Sequence, residues 1–107
     1  MPMITVKFDD KKVGDTQVIL LSQGLQKIVI DATGIPETFV YADSPRIKID
    51  VAPIEVFIEM SAHKIENLDE LFQKITTALS AWKEENNFGY PVTLTITPMH
   101  WKFEVGI

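Results

Sequence analysis

The sequence runs twice through the same order of patterns, and that repeat constrains the fold more than any single motif does. A proline followed by an apolar, β-branched run opens each half: Pro2 precedes residues 3–8, and Pro53 precedes residues 54–60. A helical pattern comes next, then a Gly-x-Pro joint (Gly34-Ile35-Pro36 and Gly89-Tyr90-Pro91), then a further apolar run. Each half therefore reads as one βαβ unit of about fifty residues, with parallel strands joined through a crossover helix. The expected class is α/β, or α+β in layer terms. It is a single domain, 1–107, of two pseudo-symmetric βαβ repeats (βαββαβ), repeat one about 1–51 and repeat two about 52–107. Both helices are expected on one face of the sheet. An interleaved ferredoxin-like sheet fits the same order, which by itself does not separate the two. Either way one sheet face is left for an association surface to cover.

The first strand is expected over residues 3–8, ending at the polar run Asp9-Asp10-Lys11-Lys12. Asp15 is a suitable N-cap for a helix over 16–33, where Val18, Leu21, Leu25, Ile28, Val29 and Ala32 recur at helical spacing. Gly34 supplies its stop and Pro36 prevents continuation. Residues 38–41 read as a strand. Residues 46–51 alternate, with Ile47, Ile49 and Val51 set against Arg46, Lys48 and Asp50, and read as a strand continuation or hairpin arm. A strong strand follows over 54–60. Asn67, with Glu70 three residues on, is a capping-box-like start to a second helix. That helix carries an apolar stripe of Leu68, Leu71, Phe72, Ile75, Ala78, Leu79 and Trp82. A strand over 92–97 is closed by Pro98, and the alternation of Trp101, Phe103, Val105 and Ile107 predicts one more short strand.

Composition removes several classes of function. Hydrophobic residues make up 46% of the chain, enough for a packed core and too many for a disordered one. Ten basic and fifteen acidic residues give a net charge of −5 with no basic patch, so nucleic acid is not an expected partner. Cysteine is absent, which excludes thiol catalysis, disulfides and zinc–thiolate sites together. No apolar run approaches the roughly 18–20 residues that cross a bilayer. A strand that begins directly behind the initiator methionine predicts a chain without a signal peptide, and so a cytoplasmic one.

Pro2 is the residue on which chemistry would centre. If Met1 is removed, Pro2 becomes a free secondary amine at the end of a core strand, where desolvation favours its neutral, basic form. The plainer reading is that proline suits the first residue of a strand because no ladder N–H is needed there. Proton transfer at Pro2 would need a group to bind an anionic substrate and a donor to steady a developing enolate. Arg46, the only arginine, is the best carboxylate fork by residue type, Lys12 sits in the loop after the first strand, and Tyr41 could donate a phenolic hydrogen bond. Each also has an ordinary reading, as a solvated charge or a tyrosine at the rim of the core. His63 could titrate near neutrality, although a polar residue at a helix entry is the commoner reading, and His100-Trp101 near the C-terminus could line a pocket. Neither has a second ligand at metal spacing, so no metal is expected, and nothing points to an organic cofactor.

Met1-Pro2-Met3-Ile4, Ala32-Thr33-Gly34-Ile35-Pro36 and the Lys64-Ile65 turn, in this order and spacing, resemble the tautomerase superfamily, especially its macrophage migration inhibitory factor-like and 4-oxalocrotonate tautomerase-like members. The resemblance covers nearly the whole chain. It implies a homotrimer whose sheets form an inner barrel, an N-terminal proline acting as general base, and 2-oxo acids or their enols as substrates. Residue by residue, Pro2 carries over. The lysine that follows Ala-Thr-Gly in migration inhibitory factors is Ile35 here, and their tyrosine and asparagine correspond to Thr93 and Thr95. An arginine of the oxalocrotonate tautomerases falls on Lys12 and a second on Tyr41. The reading that results is a divergent tautomerase or isomerase that uses Pro2 as base, with Lys12, Tyr41 and Arg46 orienting a small 2-oxo acid. The alternatives are a non-catalytic trimeric binding protein of the same fold and a ferredoxin-like regulatory module.

Overall fold

The computed structural model describes residues 1–107. In chain order the elements are β1 (Met3–Phe8), α1 (Asp15–Thr33), β2 (Phe39–Asp43), β3 (Ile54–Ser61), a short 3-10 turn (Ala62–Lys64), α2 (Leu68–Glu85) and β4 (Thr93–Met99). The sheet order is β2-β1-β3-β4. β1 pairs with β2 in parallel, β3 pairs with β4 in parallel, and β1 meets β3 antiparallel. In the interleaved alternative, β1 and β2 would have another strand between them. Here each βαβ unit keeps its own two strands together, so the ferredoxin-like arrangement is excluded. The halves join through equivalent strands running in opposite directions, as a pseudo-twofold relation requires.

Alternation along the central strands sets the layers. Ile4, Val6 and Phe8 of β1 and Ile54, Val56, Ile58 and Met60 of β3 are buried. All but Met60 form one cluster with Val18, Leu21, Leu25 and Val29 of α1, and with Ile75 and Leu79 of α2. On the other face the register lines up Phe39, Met3, Glu59 and Thr97 in one row and Tyr41, Thr5, Phe57 and Thr95 in the next. No element of the chain lies over that face.

The helix ends are set locally. Gly34 adopts φ 71°, a left-handed conformation that glycine takes without strain, and its N–H donates to Ile30 O at 2.8 Å. Asn67 caps α2, its side chain accepting from Glu70 N at 3.0 Å. At the start of α1, Gly14 occupies the cap without a side-chain bond and Asp15 is already helical. An acid in the first turn still suits the helix dipole there. Leu68 and Phe72 of the α2 stripe remain exposed.

Two expected strands are absent. Residues 46–51 and 101–107 form no ladder: β2 and β4 are the edges of the sheet, and neither segment folds back to pair with them. Ile49 is 99% exposed and Ile47 71% exposed. β4 also runs through Pro98 to Met99 instead of stopping at the proline. As an edge strand it tolerates a residue that lacks an N–H.

The 44–53 segment is tied down by polar contacts instead. Ser44 Oγ accepts from Asp10 N at 3.2 Å, Lys48 Nζ stands 2.9 Å from Asp10 Oδ1, and Asp9 N donates to Pro53 O at 3.0 Å. The hydrogen bond from Lys48, with Coulombic help from Lys48 and Lys11, holds the Asp10 carboxyl below the usual carboxylate range. Because the folded pKa is the lower one, this contact acts above the unfolded value and is lost as pH falls through the folded value. A carboxylate NMR titration should find the Asp10 midpoint below that of a free aspartate, and Lys48→Met should raise it towards the free value.

Candidate active site

The topology sends one set of chain ends to each end of the sheet. At one end β1 and β2 begin, β3 and β4 finish, α1 stops and α2 starts. Pro2, the loop 34–38, the turn 61–67 and the segment 99–102 therefore gather there. The loop after β1 and the 44–53 segment gather at the opposite end.

Pro2 is buried. Its carbonyl accepts from Phe39 N at 3.3 Å, which fixes it against the start of β2. By the alternation of β1 it shares the helix-facing side with Ile4 and Val6. The neighbouring loop is pinned by its own polar atoms. Thr38 is buried, its hydroxyl donates to Ile35 O at 2.9 Å, and its carbonyl accepts from Gln26 Nε2 at 3.0 Å. Thr33 Oγ1 donates to Val29 O at 2.7 Å and accepts from Ile35 N at 3.2 Å. In the unprocessed chain the Pro2 nitrogen is a tertiary amide. Removal of Met1 would turn it into a secondary amine held by a buried ring.

Two open clefts flank the turn after β3 at this end. The first, about 340 Å³, lies between the end of α1 and the start of α2, against Met60. Its charged groups are Lys64 and Lys74 together with Glu66 and Glu70. The second, about 520 Å³, lies off the ends of β3 and β4 and is bounded by Ala62, His63, Met99, His100, Trp101 and Lys102. Trp101 Nε1 donates to the buried Ser61 Oγ at 2.7 Å and anchors the C-terminal segment across the end of β3. No group of three or more His, Asp or Glu side chains converges as metal ligands would.

The residues expected to orient a substrate lie elsewhere in this chain. Lys12 follows β1 and stands 3.9 Å from Asp9. Arg46 lies in the irregular segment beyond β2. Both are at the far end of β1 from Pro2, roughly 23 Å along the strand at about 3.3 Å per residue. Tyr41 stands in the middle of β2 on the open sheet face, 57% exposed. Within one chain, then, Pro2 meets none of the three. The ionisable groups in the segments gathered at its end of the sheet are Glu37, His63, Lys64, Glu66, His100 and Lys102. From the sequence each histidine has an ordinary reading, His63 as a polar residue at a helix entry and His100 as part of a packed C-terminal strand; the parallel pairing of β3 with β4 brings the two together.

No family model and no curated protein matches this sequence. Solved structures do match its fold. A 5-carboxymethyl-2-hydroxymuconate delta-isomerase superposes with a TM-score of 0.71 at 13% identity, over 100% of this chain and 88% of that one. MIF2 of Leishmania major gives 0.66 at 17% identity, over 99% and 95%. A fused wild-type 4-OT described as an asymmetric trimer gives 0.65 at 15%, over 91% and 85%. At these identities the likeness is one of fold, and the fold is the βαββαβ fold of the tautomerase superfamily.

Proposed function

We propose that this chain is an isomerase that moves a proton between carbon and oxygen of a small 2-oxo acid, with Pro2 as general base once Met1 has been removed. The observation that carries the reading is the place of Pro2. It is buried at the start of a central strand, at the end of the sheet that holds a cleft lined by His63, His100 and Lys102, in a fold shared with an isomerase of an unsaturated hydroxy acid. The amine takes a proton from the carbon next to the keto group. The C–H electron pair becomes a C=C bond, the carbonyl π pair moves onto oxygen, and the protonated amine returns the proton to that oxygen through water, which completes the enol and frees the amine. The reverse order takes the enol proton and delivers it to carbon.

A homotrimer is part of the proposal. The open sheet face carries Met3, Phe39, Tyr41 and Phe57 with nothing over it, and Ile47, Ile49, Val105 and Ile107 are exposed. Such surface is unusual for a lone chain and fits association. Residues 46–51 and 101–107 have strand-like alternation and lack only a partner, which the free edges of β2 and β4 of neighbouring copies would offer. Lys12, Tyr41 and Arg46 would take part in a Pro2 site only from another subunit.

The second reading, a trimer of the same fold that binds without turnover, follows if Met1 stays in place, because the Pro2 nitrogen is then an amide with no basic lone pair. Untagged protein separates the two. Loss of Met1 by intact mass, a light-scattering mass near three times the 12.1 kDa chain, and keto–enol conversion of phenylpyruvate are the expected results. Retention of Met1 with no turnover would move the function to the binding reading.

A further inference from the structure

We infer that the cleft at the ends of β3 and β4 is where the substrate's carboxylate is held, by His63, His100 and Lys102, within reach of the Pro2 nitrogen. The inference rests on the isomerase reading and names the recognition half of the same site.

Register places the cleft beside the base. Met3 pairs with Glu59 in the antiparallel β1–β3 ladder, so continuing that register by two residues brings Met1 level with Ser61. With Met1 gone, the Pro2 nitrogen opens towards the Ser61–Ala62 stretch, one wall of the cleft. On its other side Ser61 pairs with Met99 in the parallel β3–β4 ladder. The residues that follow the two strands, His63 from one and His100 and Lys102 from the other, therefore leave the sheet side by side. Adjacent strands lie about 4.8 Å apart, so β4 is roughly 10 Å from β1, the span of a small keto acid bridging base and carboxylate.

The chemistry of the walls fits an anion. Two imidazoles and an ammonium line the cleft and no acid does, whereas the lysines of the neighbouring cleft are matched by Glu66 and Glu70. His63, His100 and Lys102 take part in none of the three ion pairs of the structure, which engage Lys7, Lys12 and Lys48. On a chain of net charge −5, a local cluster of basic groups with no acid in the cleft favours an anion there. Trp101 adds a flat apolar wall, fixed by its bond to Ser61 and by edge-on packing with Phe103 at 6.1 Å. The ligand this suits has a carboxylate at one end and a planar unsaturated body.

The test is the KM for phenylpyruvate in Lys102→Met, His100→Gln and the double variant. Loss of one charge-assisted hydrogen bond should raise KM about tenfold, more in the double variant, with kcat little changed. Phenylpyruvate methyl ester, which lacks the charge, should show no such difference, and Lys102→Arg should restore the wild-type KM. All three side chains are exposed and free of hydrogen bonds in the structure, so the variants should keep the fold. Binding of phenyllactate, which has no proton to lose to a keto–enol shift, is measured in parallel by calorimetry. An unchanged KM in the double variant, with Pro2→Ala strongly impaired, overturns the carboxylate site and leaves the base. Weaker phenyllactate binding in the double variant, with no turnover by the wild type, upholds the carboxylate site and overturns the base. Equal or absent phenyllactate binding in wild type and double variant, with no turnover, overturns both.

Discussion

Pro2→Ala should lower phenylpyruvate tautomerisation by about 10²–10⁴-fold, the usual contribution of a positioned general base. The remaining rate is expected because alanine at position 2 still offers an amine after Met1 is removed. What it lacks is the ring that fixes the direction of the lone pair. Protein carrying an uncleaved N-terminal extension should be at least as impaired, since its Pro2 nitrogen is an amide. The pair of results matters more than either alone. If the extended protein keeps wild-type activity, Pro2 is not the base, whatever Pro2→Ala does. Both proteins should keep the light-scattering mass of the wild type. The ring packs at the end of β1, outside the main cluster of Ile4, Val6, Ile58 and Leu25.

Local signals in the sequence located most of the elements. β1 is Met3–Phe8 as the apolar run implies, and Asn67 caps α2 as its spacing to Glu70 implies. Both depend on residues within a few positions of each other. What the sequence did not carry is non-local. The alternation over 46–51 and 101–107 is real, yet alternation prepares a strand and only a neighbouring edge completes it. The candidate site divides in the same way. Pro2 could be singled out from the sequence because the role proposed for it depends only on its own position in the chain. Lys12 and Arg46 were chosen by residue type and by spacing along the chain, and the topology carries them to the other end of the sheet. His63, His100 and Lys102 become one group only through the register in which Ser61 meets Met99.

That register also explains why the two halves, alike in pattern, would not be alike in chemistry. The antiparallel meeting of β1 and β3 places the two opening prolines at opposite ends of the central pair. Pro53 lies mid-chain, so its nitrogen is always an amide, and its carbonyl serves to accept from Asp9 N. Around it Lys12 and Lys48 are engaged with Asp9 and Asp10, while Lys11 and Arg46 stand in no ion pair. What separates the two ends is therefore the nitrogen: only at the Pro2 end can processing make it basic.

The largest effect on stability should come from the contact between the helices, where Trp82 of α2 lies against Gly24 of α1. A β-carbon at position 24 would stand 2.5 Å from Trp82 Cε2, well inside ordinary contact. Alanine would gain about 1 kcal/mol of helix propensity over glycine. It would lose about 1–3 kcal/mol to overpacking, because the indole is also held by Phe88, its ring centroid 5.4 Å away. Gly24→Ala is therefore expected to be net destabilising. Trp82→Ala should cost about 3 kcal/mol through lost burial and the space left between the helices. The double variant decides the mechanism. With the indole gone the overpacking disappears and only the propensity gain remains, so Gly24→Ala should become neutral or stabilising in that background. Urea unfolding of the four proteins at one fixed protein concentration measures the cycle, since association would otherwise shift the midpoints. An equal penalty for Gly24→Ala with and without Trp82 would mean that the glycine serves the backbone of α1 and not the approach of α2.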